Sequence, residues 1–100
     1  MPVPHSEAAV TIGCRIRDRR RRLGISLEDL GEIANISWTT IGKIERGVQS
    51  PSVETIIRIS TALDVDPGVF LNGVTADQYG ERERQVSARE LVSVRSRRAR

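Results

Sequence analysis

The sequence is poor in aromatic residues and in cysteine. Phe, Trp and Tyr make up 3% of the 100 residues, so the core has to come from Ile, Leu, Val and Ala. The one cysteine, Cys14, cannot form an internal disulfide, and a lone thiol is typical of a reducing compartment. No apolar run approaches the ~20 residues that span a bilayer. The first ten residues also lack the basic and apolar parts of a signal peptide. We therefore expect one small cytoplasmic domain that does not contact a membrane.

The residues that common catalytic and metal sites require are also missing. His5 is the one histidine, and no cysteine lies near it, so neither a zinc site nor a histidine-based triad can be assembled. There is no glycine-rich phosphate loop. The carboxylates of the middle segment are expected on solvated helix faces. The sequence therefore predicts no enzyme activity, no metal and no cofactor.

Positive charge is concentrated at the two ends of the chain. Residues 1–23 have a balance of +4, residues 24–80 a balance of −5 and residues 81–100 again a balance of +4, within a net charge of +3. Clustered arginine indicates a polyanionic partner such as nucleic acid. About half of these arginines are equally well interpreted as solvated helix faces.

Apolar residues recur with helical spacing, and no segment alternates with period two. After a disordered leader over residues 1–7, the pattern predicts an all-α domain of five helices over residues 8–73. Serines precede the second, third and fourth helices as N-caps, and Asp66-Pro67 opens the fifth. The predicted helices cover residues 8–23, 27–34, 38–46 and 53–63, and a short segment that ends at Leu71.

The basic tail, residues 74–100, has a weaker pattern. Ser87 and Glu90 have the spacing of a capping box, which predicts a last helix over residues 87–98. Such a helix is too short to be stable alone in water. It has to dock on the body, pair with a second chain or stay disordered.

Residues 27–46 satisfy the spacing demands of a helix-turn-helix. Gly31 is the small residue where two helices cross, and Asn35 tolerates the positive φ of the turn. Ile36, Ile41 and Ile44 are placed to lock the second helix across the first. These positions predict two short helices joined by a tight turn.

Residues 12–71 resemble the λ-repressor/Cro-like (Xre) family of bacterial and phage regulators throughout. The resemblance is carried by Leu23-Gly24-Ile25-Ser26, by Ile44-Glu45-Arg46-Gly47 after Ile41, by Pro51-Ser52 and by Ala62-Leu63-Asp64-Val65. It implies a five-helix λ-repressor-like fold and a sequence-specific transcriptional regulator, with a repressor as the first choice.

The resemblance also implies which residues bind DNA. The helix over residues 38–46 lies in the major groove, where Trp38, Thr39 and Lys43 read bases with Thr40 alongside. Phosphate contacts are implied for Arg46 and for the starts of the second and third helices, at Leu27 and Ser37. The loop residues Gln49 and Ser50 are implied to contact phosphates as well. A structural ion pair between Arg20 and Glu45 is implied too.

Three residues of this motif are open to more than one interpretation. Leu27 stands where the family commonly has glutamine, so that side-chain contact is lost or left to the backbone. Trp38 can stack on thymine methyls or pack against Leu27. Gly42 can let the protein backbone approach DNA closely or have no function.

A single module of this type reads few base pairs, so we expect a homodimer on a pseudo-palindromic site. The tail is a candidate for the dimer contact, for a clamp on the DNA backbone or for contact with a protein partner. The alternative function is a protein-interaction module, such as an antitoxin-like partner, in which Leu27 and Trp38 form an apolar patch.

Overall fold

The computed structural model describes residues 3–80 and 87–98, and the regular secondary structure there is helical. The helices are α1 (Glu7–Leu23), α2 (Leu27–Ala34), α3 (Trp38–Glu45), α4 (Val53–Ala62), α5 (Gly68–Leu71), a 3-10 helix (Ala76–Tyr79) and α6 (Ala88–Arg98). The described residues contain no strand. The predicted all-α class is confirmed, and the limits of the predicted helices differ from the structure by at most two residues. No helix in these ranges is both long and apolar enough to cross a membrane.

The N-terminal segment differs from the predicted leader over residues 1–7. The Ser6 hydroxyl accepts a hydrogen bond from the Ala9 N–H at 3.0 Å, so that α1 begins at Glu7. The His5 N–H donates to the Gly47 carbonyl at 2.8 Å. Ala8 and Ala9 are fully buried, but alanine gives little contrast in an apolar pattern, which is why the prediction started α1 late. Residues 1–2 of that leader lie outside the described ranges.

The predicted caps are present at most helix ends. Ser26 and Asp29 form a reciprocal capping box on α2, and the Ser52 hydroxyl accepts from the Thr55 N–H on α4. Asn35 ends α2 with φ 57° and ψ 47°. Ser37 occupies the N-cap position of α3 without making the predicted side-chain cap bond.

The core joins α1, α2, α3 and α4, with Phe70 of α5 fully buried in it. At Gly13, α1 and α3 touch: a Cβ there would lie 2.0 Å from the Ile44 carbonyl oxygen. Sequence reasoning missed this glycine, although a glycine inside a helix is a signal of close packing. The core residues are Ile12, Ile16, Leu30, Ala34, Ile41, Ile44, Ile56, Ile59, Leu63 and Phe70.

The folded body continues beyond the predicted end at residue 73. Val74 packs against the core, and the 3-10 helix contacts α1. The first residues of the predicted tail therefore belong to the body. The last helix, predicted over residues 87–98, is present as α6, with the Ser87 hydroxyl accepting from the Glu90 N–H at 3.2 Å.

Candidate nucleic-acid interface

The turn between α2 and α3 brings the two helices into backbone contact. A Cβ on Gly31 would lie 2.7 Å from the Ile36 carbonyl oxygen and 3.1 Å from the Trp38 nitrogen. The Ile36 N–H donates to the Gly31 carbonyl at 3.0 Å. Ile41 and Ile44 are fully buried, so α3 is fixed across α2 as the spacing predicts. The two helices form one rigid helix-turn-helix.

The face of α3 opposite this core contact is polar and exposed. Thr39 and Lys43 are one turn apart and share a face, and both are exposed. Thr40 is half-buried beside them, and 52% of the Trp38 surface is exposed. The structure therefore places the four predicted base-reading residues on one helix, with Trp38, Thr39 and Thr40 in its first turn and Lys43 in its last.

The start of α3 is an open positive helix end. Ser37 is exposed and makes no cap bond, and the first turn contains no acidic residue. The backbone N–H groups of that turn therefore have no side-chain acceptor, and they favour an anion.

The start of α2 has the opposite character. Glu28 and Asp29 lie in its first turn, and the Asp29 carboxylate accepts the Ser26 N–H at 3.0 Å. Bonds first from the backbone N–H and then from the hydroxyl of Ser26 lower the pKa of Asp29 below its ordinary value of 3.8. The capping box thus places negative charge where a backbone phosphate contact was predicted. The two helix starts therefore differ in their electrostatic environment, and the phosphate contacts implied for both stay predictions.

Leu27 belongs to the packing between the two helices. Its side chain is half-buried against the core and lies beside Gly42, with Cδ1 3.8 Å from where a Cβ would be. Arg46 Nη1 lies 3.1 Å from the same point. Gly42, for which close approach to DNA and no function were both open interpretations, therefore faces Leu27 and the Arg46 guanidinium.

Arg46 and two residues of the loop after α3 are the remaining predicted phosphate contacts. Arg46 follows α3 as its C-cap residue and is exposed. Gln49 and Ser50 are half-buried in the loop between α3 and α4. Their implied role in phosphate contact stays a prediction.

The predicted Arg20–Glu45 pair is formed and mostly buried. Arg20 Nε and Nη2 donate to the two Glu45 carboxylate oxygens at 2.7 and 2.9 Å, with side-chain exposures of 11% and 4%. Arg20 Nη1 also donates to the Ile25 carbonyl at 2.9 Å. The bond to Glu45 raises the pKa of Arg20, against the opposing effect of burial. This bidentate pair ties the end of α3 to α1.

Several arginines of α1 are committed to the fold. Arg15 Nη1 donates to the carbonyls of Phe70 and Asn72 at 3.1 and 2.7 Å, at the end of α5. Arg19 Nε donates to the Leu63 carbonyl at 3.3 Å, at the end of α4. Cations at helix C-termini satisfy carbonyls that the helix itself leaves open. With Arg20, three of the six arginines of this cluster therefore have structural roles, and the value of the cluster as a sign of a polyanionic partner is reduced.

No group of three or more potential metal-ligating residues occurs in the parts of the chain that the structure describes.

Comparison with known proteins finds relatives over the same region. The family model described as Helix-turn-helix matches residues 16–70. The HTH-type transcriptional regulator SinR of Bacillus licheniformis is 35% identical over 69 residues, which are 68% of this chain and 62% of that protein.

Two solved structures have a similar fold. The restriction-modification controller protein C.AhdI from Aeromonas hydrophila is 32% identical with a TM-score of 0.61, over 62% of this chain and 94% of that one. The P22 c2 repressor, solved in complex with a synthetic operator, is 35% identical with a TM-score of 0.59, over 63% and 96%. The chain belongs to the helix-turn-helix family of the λ-repressor/Cro-like (Xre) type.

Proposed function

We propose that this protein is a sequence-specific DNA-binding transcriptional regulator, and specifically a repressor, that inserts the start of α3 into the major groove. The observation that carries the proposal is the orientation of α3. Ile41 and Ile44 hold one side in the core, while Thr39 near the open helix start and Lys43 one turn later face solvent. A helix placed in this way can present side chains to base edges.

The chemistry of these side chains fits base reading. Lys43 can donate to guanine O6 and N7, and Thr39 and Thr40 can hydrogen-bond to bases or offer a methyl group to thymine. The exposed part of the Trp38 indole provides an apolar surface for thymine methyls or sugars. Together these four side chains form a short surface for contacting bases, in which Lys43 carries the positive charge.

Phosphate contacts would fix the register of this surface on the duplex. The candidates are the backbone N–H groups at the start of α3, the Arg46 guanidinium beside Gly42, and the loop residues Gln49 and Ser50. These contacts carry no sequence information by themselves.

The named relatives support this function and its setting. SinR is named a transcriptional regulator, C.AhdI a controller protein, and the P22 protein a repressor bound to an operator. We infer a cytoplasmic homodimer on a pseudo-palindromic site, because one module reads too few base pairs for good specificity. The proposed role is binding, without catalysis.

The test begins with selection of bound sequences from random duplexes, followed by affinity measurements for two single substitutions. We expect Lys43→Ala to weaken binding to the selected site by about 1–3 kcal/mol and to relax preference at one base pair. Arg46→Ala should weaken selected and unselected duplexes by the same factor and lower the salt slope by about one.

Two results would contradict the proposal at different points. A folded wild-type protein that binds no duplex even at low salt would overturn DNA binding itself. Equal losses on all duplexes for both variants would show that Lys43 contacts phosphate and not a base.

A further inference from the structure

Helix α6 is strongly basic and has no buried residue. Its eleven residues, Ala88–Arg98, include four arginines and one glutamate, and every one of them is exposed. Lone helices of this length are marginal in water, so contact with a partner would stabilise it. The arginines are Arg89, Arg95, Arg97 and Arg98.

One face of α6 has the composition of a phosphate-binding surface. Ser93, Ser96 and Arg97 follow Arg89 by four, seven and eight residues, which places all four on one side of a helix, and with Val92 they line one shallow pocket. Arginine guanidinium groups and serine hydroxyls are among the side chains that most often contact nucleic-acid phosphates. We call these four residues the Arg–Ser face.

We propose that the Arg–Ser face of α6 is a second DNA-binding surface, which contacts the phosphate backbone of the duplex that α3 reads. The inference rests on the function proposed above. Because α6 and α3 belong to one chain, the second contact is intramolecular and adds affinity without adding base recognition.

A second copy of α6 is a poorer occupant of this surface. Each copy carries a charge of +3, so pairing brings like charges together. The apolar residues Leu91, Val92 and Val94 span less than one heptad, whereas coiled coils need several. An acidic membrane surface is also a poorer partner, because α6 lacks the aromatic residues that anchor helices at membrane interfaces.

The test measures affinity against salt concentration for the full chain with Arg89 and Arg97 changed to glutamine. We expect R89Q/R97Q to lower the slope of log K against log salt by about two, since each phosphate contact contributes about 0.9. Between 50 and 200 mM salt, the wild type should then lose roughly tenfold more affinity than the variant. Selected and unselected duplexes should be affected alike.

Two further variants separate charge from position. R17Q/R21Q removes the same charge from two exposed arginines of α1 whose side chains make no hydrogen bond or ion pair in the described residues, and it should leave the slope within about 0.5 of the wild type. R89K/R97K keeps both cations and should restore most of the slope, because lysine also binds phosphate as a point charge.

Each remaining outcome overturns the proposal. If R89Q/R97Q and R17Q/R21Q give the same slope, the Arg–Ser face has no special role. If R89Q/R97Q shifts the monomer–dimer equilibrium at unchanged affinity per dimer, α6 contacts a second copy. Binding to vesicles with 30% phosphatidylserine but not to DNA would identify a membrane contact. If the wild type binds no duplex, the proposed function fails and this inference fails with it.

Discussion

Gly42 and Gly31 show how the same residue type has two different roles within one motif. At Gly42, a Cβ would meet the mobile end of Arg46 at 3.1 Å and Leu27 at an ordinary 3.8 Å. Alanine is about 1 kcal/mol better than glycine inside a helix. We therefore expect Gly42→Ala to raise the free energy of unfolding by up to about 1 kcal/mol, measured by urea denaturation.

Gly31→Ala is the matched control in the neighbouring helix. Its Cβ would lie 2.7 Å from a backbone oxygen, which cannot rotate away as a side chain can. Overpacking of this kind costs about 1–3 kcal/mol. Stabilisation by Gly31→Ala, or destabilisation by Gly42→Ala, would show that the packing between α2 and α3 differs from that described.

The buried Arg20–Glu45 pair leads to a second prediction at the residue scale. Glu45→Gln keeps the shape of the side chain but leaves Arg20 without its counter-ion. We expect a loss of about 2–3 kcal/mol in the free energy of unfolding. Arg22→Gln removes the exposed Arg22–Asp18 pair, with side-chain exposures of 73% and 59%, and should cost at most about 0.5 kcal/mol. Similar losses for the two variants would be inconsistent with a buried pair.

Single residues of the motif were predictable where local geometry dictates them. Gly31 and Asn35 follow from the helix crossing and the turn, and the structure confirms both. The surroundings of Gly42 were not predictable, because they depend on where the Leu27 and Arg46 side chains lie in the folded protein. Arg15 and Arg19 bond to carbonyls 44 to 57 residues away, so their structural role emerges only in the folded chain.

At the scale of elements, helix starts marked by a side-chain cap are the most predictable feature. Ser26 and Ser52 lie immediately before their helices, and α2 and α4 begin where predicted. The start of α1 was placed one residue late, because it depends on Ser6 and on the buried Ala8 and Ala9, which leave no clear apolar stripe.

The capping box of α2 predicts a pH dependence. The pKa of Asp29 is lowered in the folded protein, so its contribution to stability is fully present above its ordinary pKa of 3.8 and is lost as pH falls through the folded value. An asparagine side chain at this position cannot ionise. The difference in unfolding free energy between wild type and Asp29→Asn should therefore be largest near pH 7 and shrink below about pH 4. Urea denaturation at pH 7 and pH 3 measures it, and a difference independent of pH would contradict it.

At the scale of the whole molecule, the core lies in the body of the protein. The buried apolar residues run from Ala8 to Phe70, and Val74 packs on them from outside. A chain that ends at Gly80 should therefore keep its unfolding free energy within about 0.5 kcal/mol of the full chain.

A chain that ends at Asn72 provides the contrast. It lacks Val74 and the 3-10 helix that contacts α1, and we expect it to be less stable by about 1–2 kcal/mol. Urea denaturation of the three chains, followed by circular dichroism, measures both differences. Equal stability of the two shortened chains would show that the domain ends at residue 73, as predicted from the sequence.

The unlike starts of α2 and α3 have a consequence for the approach of a duplex. The phosphates of an approaching duplex are repelled by Glu28 and Asp29 at the start of α2 and attracted by the open N-terminus of α3. Under the proposed function, the docked strand should run close to α3 and tilt away from α2. The capping box would thus set the docking angle of the protein on DNA before any base is contacted.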